Sequence, residues 1–290
     1  DYYRGKNVLV LGHTGFKGSW AAFWLNLMGA KVTGYARDPS PEQWLFAELG
    51  IKHLIDDCRG DINDRSVLEK AVNSAEPEIV IHMAAQAIVR GSYVDPIDTY
   101  MTNVLGTANL LDVLRSHQSV RSILVITSDK CYENKGSHAS FVETDVLGGR
   151  DPYSSSKACS ELVTRSFRES FFNSKENSIG IATGRAGNVI GGGDGAIDRL
   201  IPDAVRAYAT GKSLAVRNPT AIRPWQHVLD PLAGYFTLCE QLFSKPTVFN
   251  DAWNFGPNLE NMLMVKEVLN LTVSHFNKSV KIDYIDSENE

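Results

Sequence analysis

Lys6-Asn7-Val8-Leu9-Val10-Leu11-Gly12-His13-Thr14-Gly15-Phe16-Lys17-Gly18 is the stretch on which the fold turns. Its first half is an apolar run without alternation, the pattern of a strand buried on both faces. Three glycines at three-residue steps follow, and then an apolar stretch from Trp20 to Met28. Glycines at Gly12, Gly15 and Gly18 permit a tight turn through which backbone can approach a pyrophosphate. The helix predicted to open there, with Thr14 and Phe16 at its start, presents free N–H groups and a partial positive charge. The spacing is GxxGxxG, not GxGxxG, and draws its weight from lying between a first strand and a first helix. It implies a dinucleotide cofactor.

Working outward, short β-branched runs alternate with longer helical stretches. Strands are predicted at Asn7–Leu11, Lys31–Tyr35, His53–Cys58, Ile79–His82, Ser122–Thr127 and Ile179–Thr183. Helices are predicted at Lys17–Met28, Arg65–Val72, Ile97–Arg115 and Tyr153–Phe171. Such alternation implies an α/β fold, a Rossmann-type doubly wound parallel sheet with helices on both faces. After Gly184 the texture changes. Gly191-Gly192-Gly193 reads as a loop, followed by Ala196–Thr210, Ser213–Val216 and Val228–Phe243 as short mixed elements. The reading is a cofactor domain over residues 1–185 and a smaller mixed α/β substrate-binding region over 186–290, covering the carboxyl ends of the strands where ligands bind in such sheets.

That topology nominates further residues. At the end of the second strand Asp38 would accept from both ribose hydroxyls, favouring NAD, while Arg37 would hold a 2′-phosphate, favouring NADP; the residues alone leave the choice open. Asp61 and Ile62 follow the third strand as adenine contacts. Ala84, Ala85 and Gln86 follow the fourth, where small side chains let backbone pass beside the cofactor. Tyr153 and Lys157 stand four apart on one helix face. A phenol of pKa ~10 is a poor base at neutral pH, but a nearby ammonium and a nicotinium charge would lower that value. Tyr153 would then take a proton from a sugar hydroxyl, with Ser128 sharing the hydrogen bond.

Composition bounds the partners. The chain has 290 residues, 43% of them hydrophobic, and a formal net charge of -5, which gives no basic footprint for nucleic acid. The longest apolar stretch is far short of the ~20 residues of a membrane span. Four scattered cysteines, Cys58, Cys131, Cys159 and Cys239, show no metal spacing and read as reduced thiols of a cytoplasmic protein. No metal site is expected.

These features resemble the extended short-chain dehydrogenase/reductase family over nearly the whole chain: Gly12–Gly18, His82–Gln86, Thr102–Thr107 with Asn103, and Tyr153–Lys157. Four stretches narrow the resemblance to the family's 4,6-dehydratases of CDP-glucose: GHTGFKGSW (12–20), TSDKCYEN (127–134), RAGNVIGGGD (185–194) and AIRPWQHV (221–228). The resemblance implies NAD as cofactor, a nucleotide sugar (CDP-glucose) as substrate, and a place in deoxysugar and O-antigen synthesis. It implies oxidation at C4 with Tyr153 as base and Lys157 as anchor, loss of water across C5 and C6, and return of hydride to C6. Asp129 would protonate the departing hydroxyl. Lys130 stands where related dehydratases carry a glutamate base, a variant that the CDP-glucose enzymes share; it leaves the C5 base open. By the same resemblance Asn188, Arg199, Arg217 and Arg223 border the nucleotide diphosphate, Arg90 faces the sugar or its phosphate, and the helix from Tyr153 to Phe171 forms a homodimer seam. Two alternatives share the scaffold, a sugar-nucleotide 4-epimerase and a non-enzymatic NAD-sensing protein. Asp129-Lys130 argues against the first and the retained tyrosine and lysine against the second. Family members run further at the carboxyl end, so closing elements of the substrate region are expected to be missing, and Gly136–Phe141 is expected to be a mobile loop beside the site.

Overall fold

A computed structural model of the protein describes residues 2–134, 136, 140–173, 179–258 and 262–285. Six strands follow one another as β1 (Asn7–Leu11), β2 (Lys31–Ala36), β3 (Asp56–Arg59), β4 (Ile79–His82), β5 (Ser122–Ile126) and β6 (Gly180–Ala186). A seventh, Ala252–Phe255, pairs with β6. The order across the sheet is Ala252–Phe255, β6, β5, β4, β1, β2, β3, and every neighbouring pair is parallel. All carboxyl ends therefore lie along one edge, and the order reverses between β1 and β4, the switch point at which such sheets open a crevice.

Successive side chains of a strand point to opposite faces, and both faces are covered. Val8, Val10, Ile79, Ile81, Leu124 and Ile126 pack with the helices Phe16–Leu27 and Leu229–Ser244. Leu9, Leu11, Val80, Ile123 and Val125 pack with Arg65–Ala75 and Gly106–Leu114. Each of these side chains is nearly solvent-free, and burial of one such chain is worth roughly 1.5–3 kcal/mol. This two-sided burial is why the strands read as unbroken apolar runs. A small separate core of Ala204, Ala207, Leu214, Val216 and Leu269 serves the later region. There Leu214–Arg217 pairs with Ile282–Ile285, and Ile222–Arg223 with Leu263–Met264.

The structure departs from the sequence reading in four places. The cofactor layer is not confined to residues 1–185, because strand Ala252–Phe255 extends the sheet and helix Leu229–Ser244 covers one of its faces. The third strand starts at Asp56, not His53: Gly50, at φ 60°, turns the chain into a single helical turn, Ile51–His53, that buries Ile51. Helix Ile97–Arg115 is interrupted by a wide π turn at Met101–Leu105. The Asn103 carbonyl there accepts from the hydroxyls of Thr107 (2.7 Å) and Ser160 (2.8 Å), which loosens the regular ladder. The helix placed at Ala196–Thr210 begins only at Leu200. Of Gly136–Phe141, residues 137–139 lie outside the described residues, while Phe141 stacks on Tyr132. Among the described residues no helix is long and apolar enough to cross a membrane, no group of side chains is set to hold a metal, and the four cysteines are free.

Candidate active site

The glycine turn after β1 shows why each glycine is there. Gly12 sits at φ 84°, and a Cβ on it would lie 2.7 Å from the Ala84 nitrogen; one on Gly18 would lie 2.0 Å from the Gly12 carbonyl oxygen. Both positions are closed by the protein's own backbone. Gly15 differs, since a Cβ there would meet nothing nearer than 3.4 Å. It begins a twelve-residue helix, and no side chain caps the first turn. Free N–H groups at an open helix start form an anion site. The residues present thus fit a dinucleotide, with pyrophosphate at Gly15–Phe16 and the adenosine running along the ends of β2 and β3.

The other nominated cofactor residues line that same edge. Arg37 and Asp61 approach to 3.8 Å, both well exposed; Asp38 is almost fully exposed. Thr14 is buried and donates to the Arg37 carbonyl at 3.4 Å. Ile62 is buried, with Gly106 pressed so close that a Cβ would sit 2.5 Å from it. Asn103 is a different case. Its side chain is buried, accepting from the Gln86 N–H (2.8 Å) and donating to the Gln86 carbonyl (3.0 Å) and Ser156 (2.8 Å). It fixes the loop Ala84–Gln86 to the helix bearing Tyr153, with its amide oxygen and nitrogen both engaged by the protein.

That helix, Pro152–Phe167, starts where Asp151 accepts from the Ser154 N–H, with Pro152 in the first turn. Ser92 accepts from the Tyr153 N–H at 3.1 Å. Tyr153 and Lys157 are both buried. The Lys157 ammonium donates to the Ile126 carbonyl at 3.2 Å. Burial pushes its pKa down to about 8, opposed by the Glu161 carboxylate. Burial also raises the Tyr153 phenol, the reverse of the expected lowering; what opposes the rise is the Lys130 ammonium, with a hydrogen bond shared with Ser128. The cation expected to acidify the phenol was Lys157; among the protein's own groups it is Lys130, because Lys157 is turned to the β5 carbonyl.

Ser128 continues the chain of contacts by donating to Asp129 Oδ1 (3.1 Å), and Lys130 Nζ lies 3.4 Å from the same oxygen. Asp129 is 29% exposed and is neither sealed in nor lost to solvent. Its other oxygen lies beside Gly187, which has no room for a Cβ because Pro224 stands 2.4 Å away. Lys17, half-buried on the first helix, joins this group. Burial lowers its pKa to about 7, reinforced by the charges of Arg199 and Lys157 and opposed by that of Asp129. Arg199, Lys157 and Lys130 thus all act on Lys17, with Asp129 as the opposing charge. An entering anion would relieve that crowding.

At the substrate end Arg90 and Arg217 share Asp198 (3.0 and 3.5 Å), and Arg199 pairs with Asp194 at 3.0 Å. Asp198 holds φ 62°. Asn188 accepts from the Gln226 N–H through its carbonyl, while its side-chain oxygen is buried without a partner. Arg223 stands apart, exposed, its guanidinium donating to the Ile222 carbonyl at 3.0 Å.

Comparison with known proteins places this geometry. Residues 8–254 match the model of the NAD dependent epimerase/dehydratase family. The chain belongs to that family. It is 46% identical over 277 residues to the CDP-glucose 4,6-dehydratase of Salmonella typhimurium, covering 94% of this chain and 77% of that protein. Among solved structures, an epimerase from Methanothermobacter thermautotrophicus superposes with a TM-score of 0.85 at 24% identity, over 99% of this chain and 81% of the other. A dTDP-glucose 4,6-dehydratase from Bacillus anthracis, in complex with NAD, does so with a TM-score of 0.81 at 22% identity, over 99% and 86%. These likenesses confirm the Rossmann-type α/β fold.

Within this epimerase/dehydratase scaffold the sequence reading missed four kinds of residue. Lys17 lay inside the glycine stretch and was passed over as turn filler. Glu161 stands eight residues after Tyr153 on the same helix face, a spacing that could have flagged it. His13 is fully buried, 2.8 Å from Asp57, with its ring so close to Gly34 that a Cβ there would lie 2.4 Å away. Asp194 closes the quoted stretch RAGNVIGGGD and Asp198 lies just beyond it, but loop carboxylates gain meaning only from the arginines that tertiary structure brings to them.

Proposed function

We propose that this chain is a CDP-glucose 4,6-dehydratase, converting CDP-glucose to CDP-4-keto-6-deoxyglucose and water with NAD. The observation that carries the reading is the Ser128 hydroxyl just past β5, which acts on the Tyr153 phenol and donates to Asp129 at 3.1 Å. The identity to the Salmonella typhimurium protein supports the nucleotide and the reaction.

The roles follow from position. Gly15 and the first turn of the helix Phe16–Leu27 hold the cofactor's pyrophosphate; Arg37, Asp38, Asp61 and Ile62 border its adenosine, and Ala84–Gln86 its inner side. When bound, NAD supplies a hydride acceptor for C4 and a hydride donor for C6. Tyr153 takes the proton of the C4 hydroxyl, with Ser128 orienting it and the Lys130 charge favouring phenolate. Asp129, hydrogen-bonded to Ser128 and open on one side, delivers a proton to the departing C6 hydroxyl, while the C5 proton, made acidic by the 4-keto group, is lost to solvent and replaced from it as hydride reaches C6. A 4-epimerase needs no such donor, which is why the dehydratase reading is preferred. Asn188, Arg90, Arg199 and Arg217 receive the diphosphate and sugar, and Arg223 reaches them only if its strand end turns inward.

The region after residue 186 supplies the substrate side and shares the core of the cofactor side. We further propose a cytoplasmic homodimer. Tyr93, Ile97, Met101 and Leu105 expose apolar side chains at four-residue steps, and Leu162 does so on the neighbouring helix, a face suited to a second copy.

The deciding experiment incubates the protein with a panel of nucleoside-diphosphate glucoses and NAD, with no added reductant. A keto sugar from CDP-glucose, absorbing in alkali, is expected. A C4 epimer as product would establish the epimerase instead, and no turnover of any panel member by folded protein would remove the catalytic reading. Asp129→Asn is expected to stop water loss by about a hundredfold or more while C4 oxidation continues. Unchanged keto-sugar formation would remove Asp129 from its role.

A further inference from the structure

Tyr153 and Lys157 are followed, after a further four residues on the same helix face, by Glu161, and the environment of that carboxylate is unusual. Glu161 is 4% exposed. It accepts from Thr127 at the end of β5, and from Thr183 Oγ1 (2.7 Å) and Arg185 Nη2 (2.8 Å), both on β6. Arg185 is itself buried and donates onward to Tyr132 (2.7 Å) and the Glu143 carbonyl (3.0 Å); Tyr132 donates to Asn254 on the seventh strand (2.7 Å). Lys157 donates to Ile126, the residue before Thr127. The carboxylate held by these three donors is thus paired with the buried Arg185 and stands one turn after the buried Lys157 on the same helix.

Three donors, the Arg185 guanidinium among them, hold the Glu161 carboxylate, and a buried ammonium without an anion loses its proton. Lys157 has no carboxylate as direct hydrogen-bond partner; the anion acting on it is Glu161. The other titratable groups around it are Tyr153 on its own helix, Cys131 after β5, His82 on β4 and Lys17 on the first helix, with Asp129 and Lys130 beyond the tyrosine. Cys131 is pushed up to about 12 and His82 down to about 3, so neither changes charge near neutrality.

We propose that Glu161 is the buried counter-ion of Lys157, a positioning residue that keeps the catalytic ammonium charged and, through Arg185 and Tyr132, ties the helix Pro152–Phe167 to the loop bearing Ser128 and Asp129. The functional part of this assignment rests on the dehydratase reading above; the electrostatic part does not. Glu161 offsets the burial of the Lys157 ammonium, and Arg185 competes for the same carboxylate.

The experiment follows the Lys157 side-chain carbon resonance against pH in protein labelled with [ε-13C]lysine, assigned by its loss in Lys157→Arg, with no substrate present. Glu161→Gln is expected to lower the Lys157 titration midpoint by about one pH unit or more, the usual influence of a close opposite charge. Arg185→Met removes the competitor and is expected to raise it. Glu161→Asp should restore most of the native value. In turnover, the alkaline limb should move in the same directions, down for Glu161→Gln and up for Arg185→Met. A purely structural carboxylate would cost activity at every pH and leave both limbs where they were. A Lys157 midpoint unmoved in Arg185→Met overturns the proposal even if Glu161→Gln does not fold. Midpoints that move as expected while CDP-glucose is not turned over would uphold the counter-ion and discard the dehydratase reading.

Discussion

The two ends of the crevice are built in opposite ways. At the chemical end, Tyr153, Lys157, Ser128 and Glu161 are all buried, and their contacts run through β5, β6 and one sixteen-residue helix. At the substrate end, Arg90, Arg199 and Arg217 are partly exposed and stand on a short helix, Val89–Val94, on the residue before another helix and on a strand end. The first end is preorganised, and its groups need not move for a proton to pass. The second end satisfies its cations with its own carboxylates, Asp194 and Asp198, so a diphosphate must exchange ion pairs to enter. Substitutions at the first end should therefore act on turnover and at the second on substrate affinity.

The largest effect should come from Tyr153→Phe. Removing the proton acceptor is expected to lower kcat by about 10³–10⁴ with little change in KM, read from keto-sugar formation. A KM rise of similar size would break the contrast. Next is the pH dependence of stability, which reports how dry the chemical end is. His82 is buried with its pKa lowered to about 3. The unfolded chain takes up that proton at about 6.5, so the stabilisation is complete above that pH and is lost as pH falls below it. Between pH 7 and pH 5 the loss from this residue is about 2 kcal/mol. Urea titrations should show it, and His82→Gln should remove that part of the slope.

Smaller effects belong to the substrate end. Arg217→Ala is expected to raise KM for the nucleotide sugar about tenfold with kcat within a factor of about two, the value of one charged hydrogen bond. The smallest is Asp198→Asn, which removes the competing charge but keeps a residue type tolerant of positive φ. KM should fall about threefold. A rise would mean that Asp198 orients the arginines and does not compete with substrate, and the two ends would then be built alike.

Much of this was legible in the sequence for identifiable reasons. β1 and β4 are found at the predicted residues, because strands buried on both faces leave no ambiguity of period. Ser128 lies just past β5, and Tyr153 and Lys157 lie one turn apart on one helix, where the strand order and the four-residue spacing put them. Other features were hidden. Strand Ala252–Phe255 is short and only partly buried, so nothing in its composition announced a seventh member of the sheet. Asn103 sits within a motif whose presence says nothing about which way an amide faces. The direction of the Tyr153 shift is set by burial, and the cations that oppose it, Lys130 and Arg199, come from two other segments of the chain.

The sequence by itself settled the order of strands and helices, the phosphate turn and the residue types available for proton transfer, since these depend on local periodicity and on spacing along one helix. Tertiary structure alone decided which charges share a buried volume: Lys130 beside the phenol, Glu161 between Lys157 and Arg185, Asp198 between Arg90 and Arg217. The physical reason is that Coulomb interaction and desolvation depend on distance through space and on exclusion of water, and neither quantity is written in the separation of residues along a chain.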